Sequence, residues 1–358
     1  DVNSSAQRKG RAGRINPGTY IPMFTKDFRD KLMLPFDHPD ILTANICDVV
    51  LDMYKFNHNL NPTKKSDDIK LADIPSLDLI SHPHPDSILR AIDILTKLGI
   101  LDRSKGTFTT LGSSLLSLGM FGGPIHGKMI LTGYINNCTL DMIELVALLT
   151  TLAYGKIGDI IIDKEKFIND PNGVLHMETM SDHLVLWAAY HHFITCDTQE
   201  DKKDFCDNYG IDIMKFIQAD QQRISLMKQY TDSNLPIRQE MSQQIDDTRL
   251  FNVKKCIFIS MNHNIAVRTG YGIYSIYDRP YIVVKPSRDG LVFLNQLRVK
   301  NTHPKAKSYQ SKPMPMEDLW PGVVVFEKLN LFENVNIGSQ NYQIDMLTSI
   351  DDILGKFV

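Results

Sequence analysis

The chain has 358 residues and a mass of 40.7 kDa, room for two or three domains at roughly 100–200 residues each. Its 43% hydrophobic and 23% charged content excludes wholesale disorder and a fibrous repeat, and a net charge of −3 shows no global bias toward nucleic acid. Five cysteines (Cys47, Cys138, Cys196, Cys206, Cys256), odd in number and with no CxxC pair, argue against a disulfide framework and a zinc ribbon.

The first residues, from Asp1, are polar. They read as a start without a secretory leader, with further chain expected upstream. Residues 7–14 read QRKGRAGR. Small residues at 10, 12 and 13 let the backbone approach a ligand closely. On a helical turn Arg11 and Arg14 would stand at i, i+3 on one face. Two guanidinium groups so placed suit a phosphate whose charge grows in a transition state, the arginine-finger arrangement of phosphoryl transfer. A plain basic loop is the simpler alternative.

A short apolar segment, 19–24, follows, and Pro35 and Pro39 punctuate the exit. Residues 40–54 predict a helix with Ile46, Val49, Val50 and Met53 on one face, and 57–68 a loop holding Pro62. Residues 86–98 predict a second helix, striped by Ile88, Ile92 and Leu95, with Pro85 before it and Gly99 after. Residues 101–111 read as a short hairpin turning at 103–106. Two helices and a two-stranded wing make the order of a winged-helix module.

From 111 to about 230 the pattern is helical. Asp141 and Ser181 are candidate caps, the second for a helix with Leu184, Trp187 and Ala188 on one face. A third helix would use Ile213, Phe216, Ile217, Ile224 and Met227. The longest apolar run, 142–154, is 13 residues long and contains Glu144, too short and too charged to span a bilayer. After Leu250 come short β-branched or aromatic runs at 256–259, 264–267, 272–277, 281–284, 323–326 and 342–345. Their turn-separated spacing predicts a small barrel or sandwich.

Charge is uneven along the chain. Residues 141–220 hold 15 acids and 6 lysines or arginines, a net of −9, and residues 254–312 hold 11 lysines or arginines against Asp278 and Asp289, a net of +9. A solvated face and a phosphate-tracking surface both fit the basic region. Its aromatics, Phe258, Tyr271, Tyr274, Tyr277, Tyr281, Phe293 and Tyr309, read as strand core for the most part, with stacking platforms for unpaired bases as the alternative.

Two motif matches read as decoys. Residues 122–128 fit GxxxxGK, but Met129 stands where a Mg²⁺-binding Ser or Thr belongs and Pro124 lies inside the would-be loop. Residues 160–163 imitate a Walker B strand. His82 and His84 flank a proline, and His183, His191 and His192 share a helical region without a paired cysteine or carboxylate at ligand spacing; all five read as structural.

The QRKGRAGR run resembles motif VI (QRxGRxGR) of DEAH-type superfamily 2 helicases, and with PGTY at 17–20 it resembles the viral, poxvirus-type members in particular. The likeness continues in the family's order over nearly the whole chain. Residues 82–85, 89–91 and 95–102 resemble the family's PP-x-x-x-L-x-x-A-L to LGALD stretch. TLG at 110–112 resembles LT-x-LG, and SDHL at 181–184 is the same tetrapeptide. VKPS at 284–287 resembles IHPSS, with Lys285 in place of His, and 323–329 resembles the strand written VVYHEL.

The resemblance implies a multidomain α+β architecture. Residues 1–36 would be the tail of the second RecA-like α/β domain, 37–110 a winged helix, 111–235 a ratchet-like helical bundle and 236–358 a C-terminal β-barrel, an OB-fold. Residues 288–322 depart from the family as a basic insertion. The implied activity is ATP-dependent 3′-to-5′ RNA translocation and unwinding. ATP and Mg²⁺ would be bound mainly by upstream domains, which carry the Walker A lysine and DEAH box, so this stretch alone is expected to be inactive. Gln7 would touch the γ-phosphate or attacking water, and Arg11 and Arg14 would be the arginine fingers; Arg8 has no assigned role. Single-stranded RNA is the expected partner, with Lys285, Ser287, Arg288, Arg298 and Lys300 as candidate contacts. An activating protein on the OB-fold and an intracellular setting are also implied. The competing expectations are a non-catalytic nucleic-acid-binding or adaptor module, and a scaffold using the acidic helical region.

Overall fold

The computed structural model describes residues 1–43, 46–60, 80–118, 123–152, 157–239, 244–270, 272–287, 320–334 and 339–355. Helix α1 (Val2–Lys9) is capped by Asp1, which accepts the Ser4 N–H at 2.6 Å. A six-residue helix, α2 (Lys26–Lys31), follows. The Val2 and Asn3 N–H groups donate to the Leu34 and Pro35 carbonyls, closing this segment on itself. None of residues 1–39 is buried.

The helix expected over 40–54 appears as α3 (Asp40–Thr43) and α4 (Cys47–Leu60). Helix α4 runs through the first residues of the expected loop, 57–60; the rest of that loop, Pro62 included, lies outside the described residues. Ile46, Val50, Leu51 and Met53 are buried. Helix α5 (Pro85–Lys97) starts with proline in its first turn, and Gly99 beyond its end takes φ +75°. Its buried stripe is Ala91, Ile92 and Leu95. The hairpin β1 (Leu101–Asp102) and β2 (Thr107–Phe108) turns where expected, with Gly106 at φ +67°. Helix α6 (Thr110–Leu118) begins directly after it. At Gly112 there is no room for a Cβ against the Ile100 carbonyl, so glycine there is a packing requirement.

The helical body comprises α7 (Pro124–Ile135), α8 (Thr139–Thr151), α9 (Lys164–Asn169), α10 (Asp182–Thr195), α11 (Gln199–Tyr209), α12 (Ile213–Asp232) and α13 (Asp247–Met261). Ser181 caps α10, its hydroxyl accepting the Leu184 N–H at 3.1 Å. Asp141 does not cap α8; it is fully buried in the first turn and pairs with Arg249. On α12 the inward face is Phe216, Ala219, Leu226 and Tyr230, whereas Ile224 is 58% exposed.

Residues 256–259, expected as a strand, lie inside α13. Leu250, Val253, Cys256, Ile257 and Met261 are all buried, a helical period that extends beyond the four-residue run, and tertiary burial overrides local β preference. Among the described residues no helix is long and apolar enough to cross a membrane.

The C-terminal strands are β3 (Ile265–Gly270), β4 (Ile273–Ile276), β5 (Arg279–Pro286), β6 (Val323–Asn334) and β7 (Ser339–Ser349), followed by α14 (Asp351–Leu354). They close a five-stranded barrel in the order β3-β4-β5-β7-β6, with β5 parallel to β7 and the other neighbours antiparallel. Closure removes the unpaired sheet edges. Ala266, Tyr274, Ile276, Val284, Val324, Phe326 and Ile344 fill it, and the Tyr274 hydroxyl donates to the Pro321 carbonyl at 2.8 Å.

Barrel and helices meet along the start of α10. The Ser349 N–H donates to the Met180 carbonyl at 3.0 Å, and the Ser181 and Thr348 hydroxyls are 2.6 Å apart. Lys254 on α13 reaches Asp352 at 2.8 Å.

Candidate functional site

Three regions carry the candidate chemistry. In the first, Gln7 sits on α1 and the helix ends at Lys9, with Gly10 as its cap. Arg11 and Ala12 continue in turn geometry, their N–H groups donating to Arg8 and Lys9. Gly13 then takes φ +80° and redirects the chain. Arg11 and Arg14 therefore do not share a helical face; the glycines that suit a close approach also end the helix. Arg14 folds back, its Nε donating to the Gly10 carbonyl at 3.4 Å. Gln7, Arg11 and Arg14 are all exposed. A small cavity of about 160 Å³ lies behind α1, lined by Asp1, Ser4, Ser5, Arg8, Tyr20 and Phe24 among others.

The second region is the outer face of the barrel at the β4–β5 hairpin. Along β5, Tyr281, Val283 and Lys285 point outward, while Val284 is buried and Ile282 half-buried. Tyr277 at the tip is 71% exposed, Tyr281 80% and Val283 51%. Arg279 is exposed beside them. The backbone of the tip is anchored: the Tyr277 N–H donates to the Ile265 carbonyl at 2.9 Å, and the Asp278 carboxylate accepts from Lys97 of α5 at 2.6 Å. The bond to Asp278, with Asp93 helping, raises the Lys97 pKa. Burial works against ionisation of Asp278, but Lys97 and Arg279 outweigh it and hold its pKa below the ordinary carboxylate value.

Of the predicted nucleic-acid contacts, Lys285 is exposed on this face, and Ser287 follows β5 with its N–H on the Ile344 carbonyl at 3.0 Å. Arg288, Arg298 and Lys300 lie outside the described residues, as do Tyr271, Phe293 and Tyr309. The strand-core reading holds for Tyr274 and fails for Tyr277 and Tyr281. The signal was available: inward 282 and 284 are apolar, while outward 279, 281, 283 and 285 read Arg, Tyr, Val, Lys.

The third region is a buried polar network in the helical body. Arg249 Nη2 lies 2.6 Å from Asp141 Oδ1, and Asp141 Oδ2 also accepts from Gln239 at 2.9 Å. Glu144 accepts from Trp187 Nε1 at 3.0 Å and lies 2.9 Å from His191 Nδ1. The Arg249 guanidinium is 5.4 Å from the Trp187 ring centre. His191 also lines an open cavity of about 1060 Å³ with His176, His192, Asn172 and Asp197. His183 is committed elsewhere: its Nδ1 is 2.8 Å from the Thr348 hydroxyl.

The decoy matches resolve as helix chemistry. Lys128 lies inside α7, 5% exposed, and residues 124–128 of the match are helical. Burial pushes its pKa down to about 8. Asp163 caps α9 by accepting the Glu165 and Lys166 N–H groups at 3.1 Å. No family model matches the chain.

Proposed function

We propose that this chain is the C-terminal portion of an ATP-dependent RNA helicase of the DEAH type, its barrel an OB-fold that grips single-stranded RNA. The observation that carries the reading is the barrel itself. Its strands close in the order first, second, third, fifth, fourth, with the third parallel to the fifth. That five-stranded arrangement suits an OB-fold, whose second and third strands present an oligonucleotide-binding face. It follows a helical body, and a helix–helix–hairpin unit precedes that body, the order the motif resemblance predicts. The helix–helix–hairpin unit is read as the winged helix, and the helical body as the ratchet-like bundle.

In this reading Gln7, Arg11 and Arg14 form the arginine side of a nucleotide site shared with a domain upstream. Their exposure suits a surface that is covered when two domains close. The residues fit the phosphate end of ATP: one amide and two guanidinium groups can donate to phosphate oxygens. They offer nothing to Mg²⁺, and the described residues contain no group of three or more His, Cys, Asp or Glu able to hold a metal ion. Bound ATP would supply the cleavable γ-phosphate. Arg11 and Arg14 would neutralise the charge growing on it, and Gln7 would orient water.

The test uses the protein together with the RecA-like domains its family carries. Arg14→Ala is expected to lower NTPase turnover by a factor of about 10³ or more while leaving RNA affinity within about two-fold. Unchanged turnover overturns the enzyme assignment. RNA binding that persists with no NTPase activity in the parent protein would favour the second reading, a non-catalytic nucleic-acid-binding module.

A further inference from the structure

We infer that Cys138 and Cys256 are a disulfide-forming pair, oxidised by a hydroperoxide and restored by a dithiol reductant. The pair lies in the helical body, and its chemistry does not depend on the helicase reading. All five cysteines are free thiols. Cys47 donates to the Ala91 carbonyl and Cys196 to the His192 carbonyl, while burial pushes the Cys206 thiol pKa up to about 12. Cys138 and Cys256 face each other instead. Their Sγ atoms are 3.4 Å apart, close enough for one thiol to donate to the other, and the two residues are 1% and 0% exposed.

Both backbones are held in place. Cys138 is the N-cap of α8, and its N–H donates to the Gly133 carbonyl at 2.9 Å. A Cβ on Gly133 would come within 2.6 Å of Met142, so the turn from α7 into α8 is tight. On α13, Cys256 follows Arg249 by about two turns on the same buried face. Cys138 precedes Asp141 by three residues, and Asp141 pairs with Arg249 at 2.6 Å. The thiol pair therefore repeats, between the same two helices, the tie that the charged pair makes.

The oxidation takes two steps. One sulfur, as thiolate, attacks a peroxide oxygen; the S–O bond forms, the O–O bond breaks, and the departing hydroxide takes up a proton as water. The second sulfur then attacks the sulfenic sulfur. The S–S bond forms, the S–O bond breaks, and hydroxide leaves as water with the second thiol's proton. Two thiols lose two electrons and two protons, and hydrogen peroxide becomes two waters. Brief openings of the body admit an oxidant of that size, and a partner sulfur already in contact traps the sulfenic acid before further oxidation. The bond would join residues 118 positions apart, and a cross-link over so long a loop restricts the unfolded chain strongly.

The experiment incubates the whole chain with excess hydrogen peroxide, then unfolds it, alkylates the remaining thiols and maps tryptic peptides by mass spectrometry. Cleavage after lysine and arginine places Cys138 in 129–156 and Cys256 in 256–268, each without a second cysteine. The expected product is these two peptides linked, with the mass of two hydrogens lost, and dithiothreitol should return both thiols. The unfolding midpoint of the oxidised chain should rise by about 5 °C or more. Cys138→Ala and Cys256→Ala, each compared with its own untreated midpoint, should abolish the linked peptide and the rise, whereas Cys196→Ala should keep both. The mapping of the parent chain decides by itself if either buried variant fails to fold. Recovery of Cys138 and Cys256 as alkylated thiols after about a day in excess peroxide overturns the pair. So does either residue found as a sulfinic acid or bonded to another cysteine.

Discussion

The Asp182 carboxylate, in the first turn of α10, accepts the backbone N–H of Leu347 on β7 at 2.8 Å. Both residues are buried, so the bond joins helical body to barrel in a place water does not reach. The carboxylate also sits at the positive end of the helix dipole. Asp182→Ala would leave a buried N–H unsatisfied, and hydrogen bonds to charged groups contribute about 1.5–3 kcal/mol. A loss of that size in denaturant unfolding is expected, with Asp182→Asn, which retains an acceptor, losing less. Equal stability of all three proteins would show that the other seam bonds, Ser181 and His183 to Thr348 and Ser349 to Met180 among them, hold the seam without Asp182.

A second buried link spans α8 and α13. Asp141 is fully buried and the Arg249 side chain 6% exposed, with 2.6 Å between Oδ1 and Nη2. Arg249→Met would strand a carboxylate in the core, at a cost of about 3–5 kcal/mol. Replacing both, as Arg249→Met with Asp141→Leu, is expected to recover most of that loss. The comparison of unfolding midpoints separates a stranded charge from lost packing; a double variant as unstable as the single would assign the loss to packing.

How far these partnerships could be read in advance depended on distance along the chain. Ser181 as a helix cap was legible because its partner, Leu184, is three residues away. Asp182 and His183 belong to the same tetrapeptide, yet their partners lie 165 residues downstream, and no local pattern encodes that. Asp141 was misread for the same reason: a carboxylate near a helix start resembles a cap until Arg249, 108 residues on, is placed beside it. The barrel strands are legible as alternating runs bounded by turns, whereas 256–259 resembles one until it is placed in the helix that Asp246 starts by accepting from the Arg249 N–H at 2.8 Å. In the arginine segment residue types were legible and geometry was not, since one glycine at positive φ decides where Arg14 goes.

His263 predicts an acid-sensitive fold. Burial lowers its pKa to about 4, with the charges of Lys128 and Lys97 adding to the effect and Asp278 opposing it. The unfolded chain takes up a proton near 6.5, so between about 6.5 and 4 it binds protons the folded chain does not. Stability is therefore complete above about 6.5 and falls as pH drops toward 4, by about 3 kcal/mol from this group. His263→Gln should flatten that part of the profile. Lys128 works in the opposite range: its folded pKa of about 8 lies below the usual 10.4, so stability rises as pH climbs between them. Lys128→Met should stabilise the fold at neutral pH and raise the His263 pKa, read by NMR titration of the imidazole. An unmoved His263 pKa would show that the two side chains do not sense each other.

The Lys97–Asp278 pair predicts a local effect rather than a global one. Lys97 is 40% and Asp278 31% exposed, and water screens such pairs to about 0–1 kcal/mol. Lys97→Met should therefore leave the unfolding midpoint nearly unchanged. The tip it anchors carries Tyr277, however, and untethering it should speed hydrogen exchange at Asp278 and Arg279. The pH dependence has a definite sign. The depressed Asp278 pKa keeps the tether intact above the ordinary carboxylate pKa, and it is lost as pH falls through the depressed value. The raised Lys97 pKa extends it beyond the ordinary lysine pKa, and it is lost as pH rises through the raised one. Tip protection should be flat across the interval between and fall at both ends in the parent chain, but not in Lys97→Met. Protection that is the same in both proteins would mean that the Tyr277 N–H bond to Ile265 suffices to hold the tip.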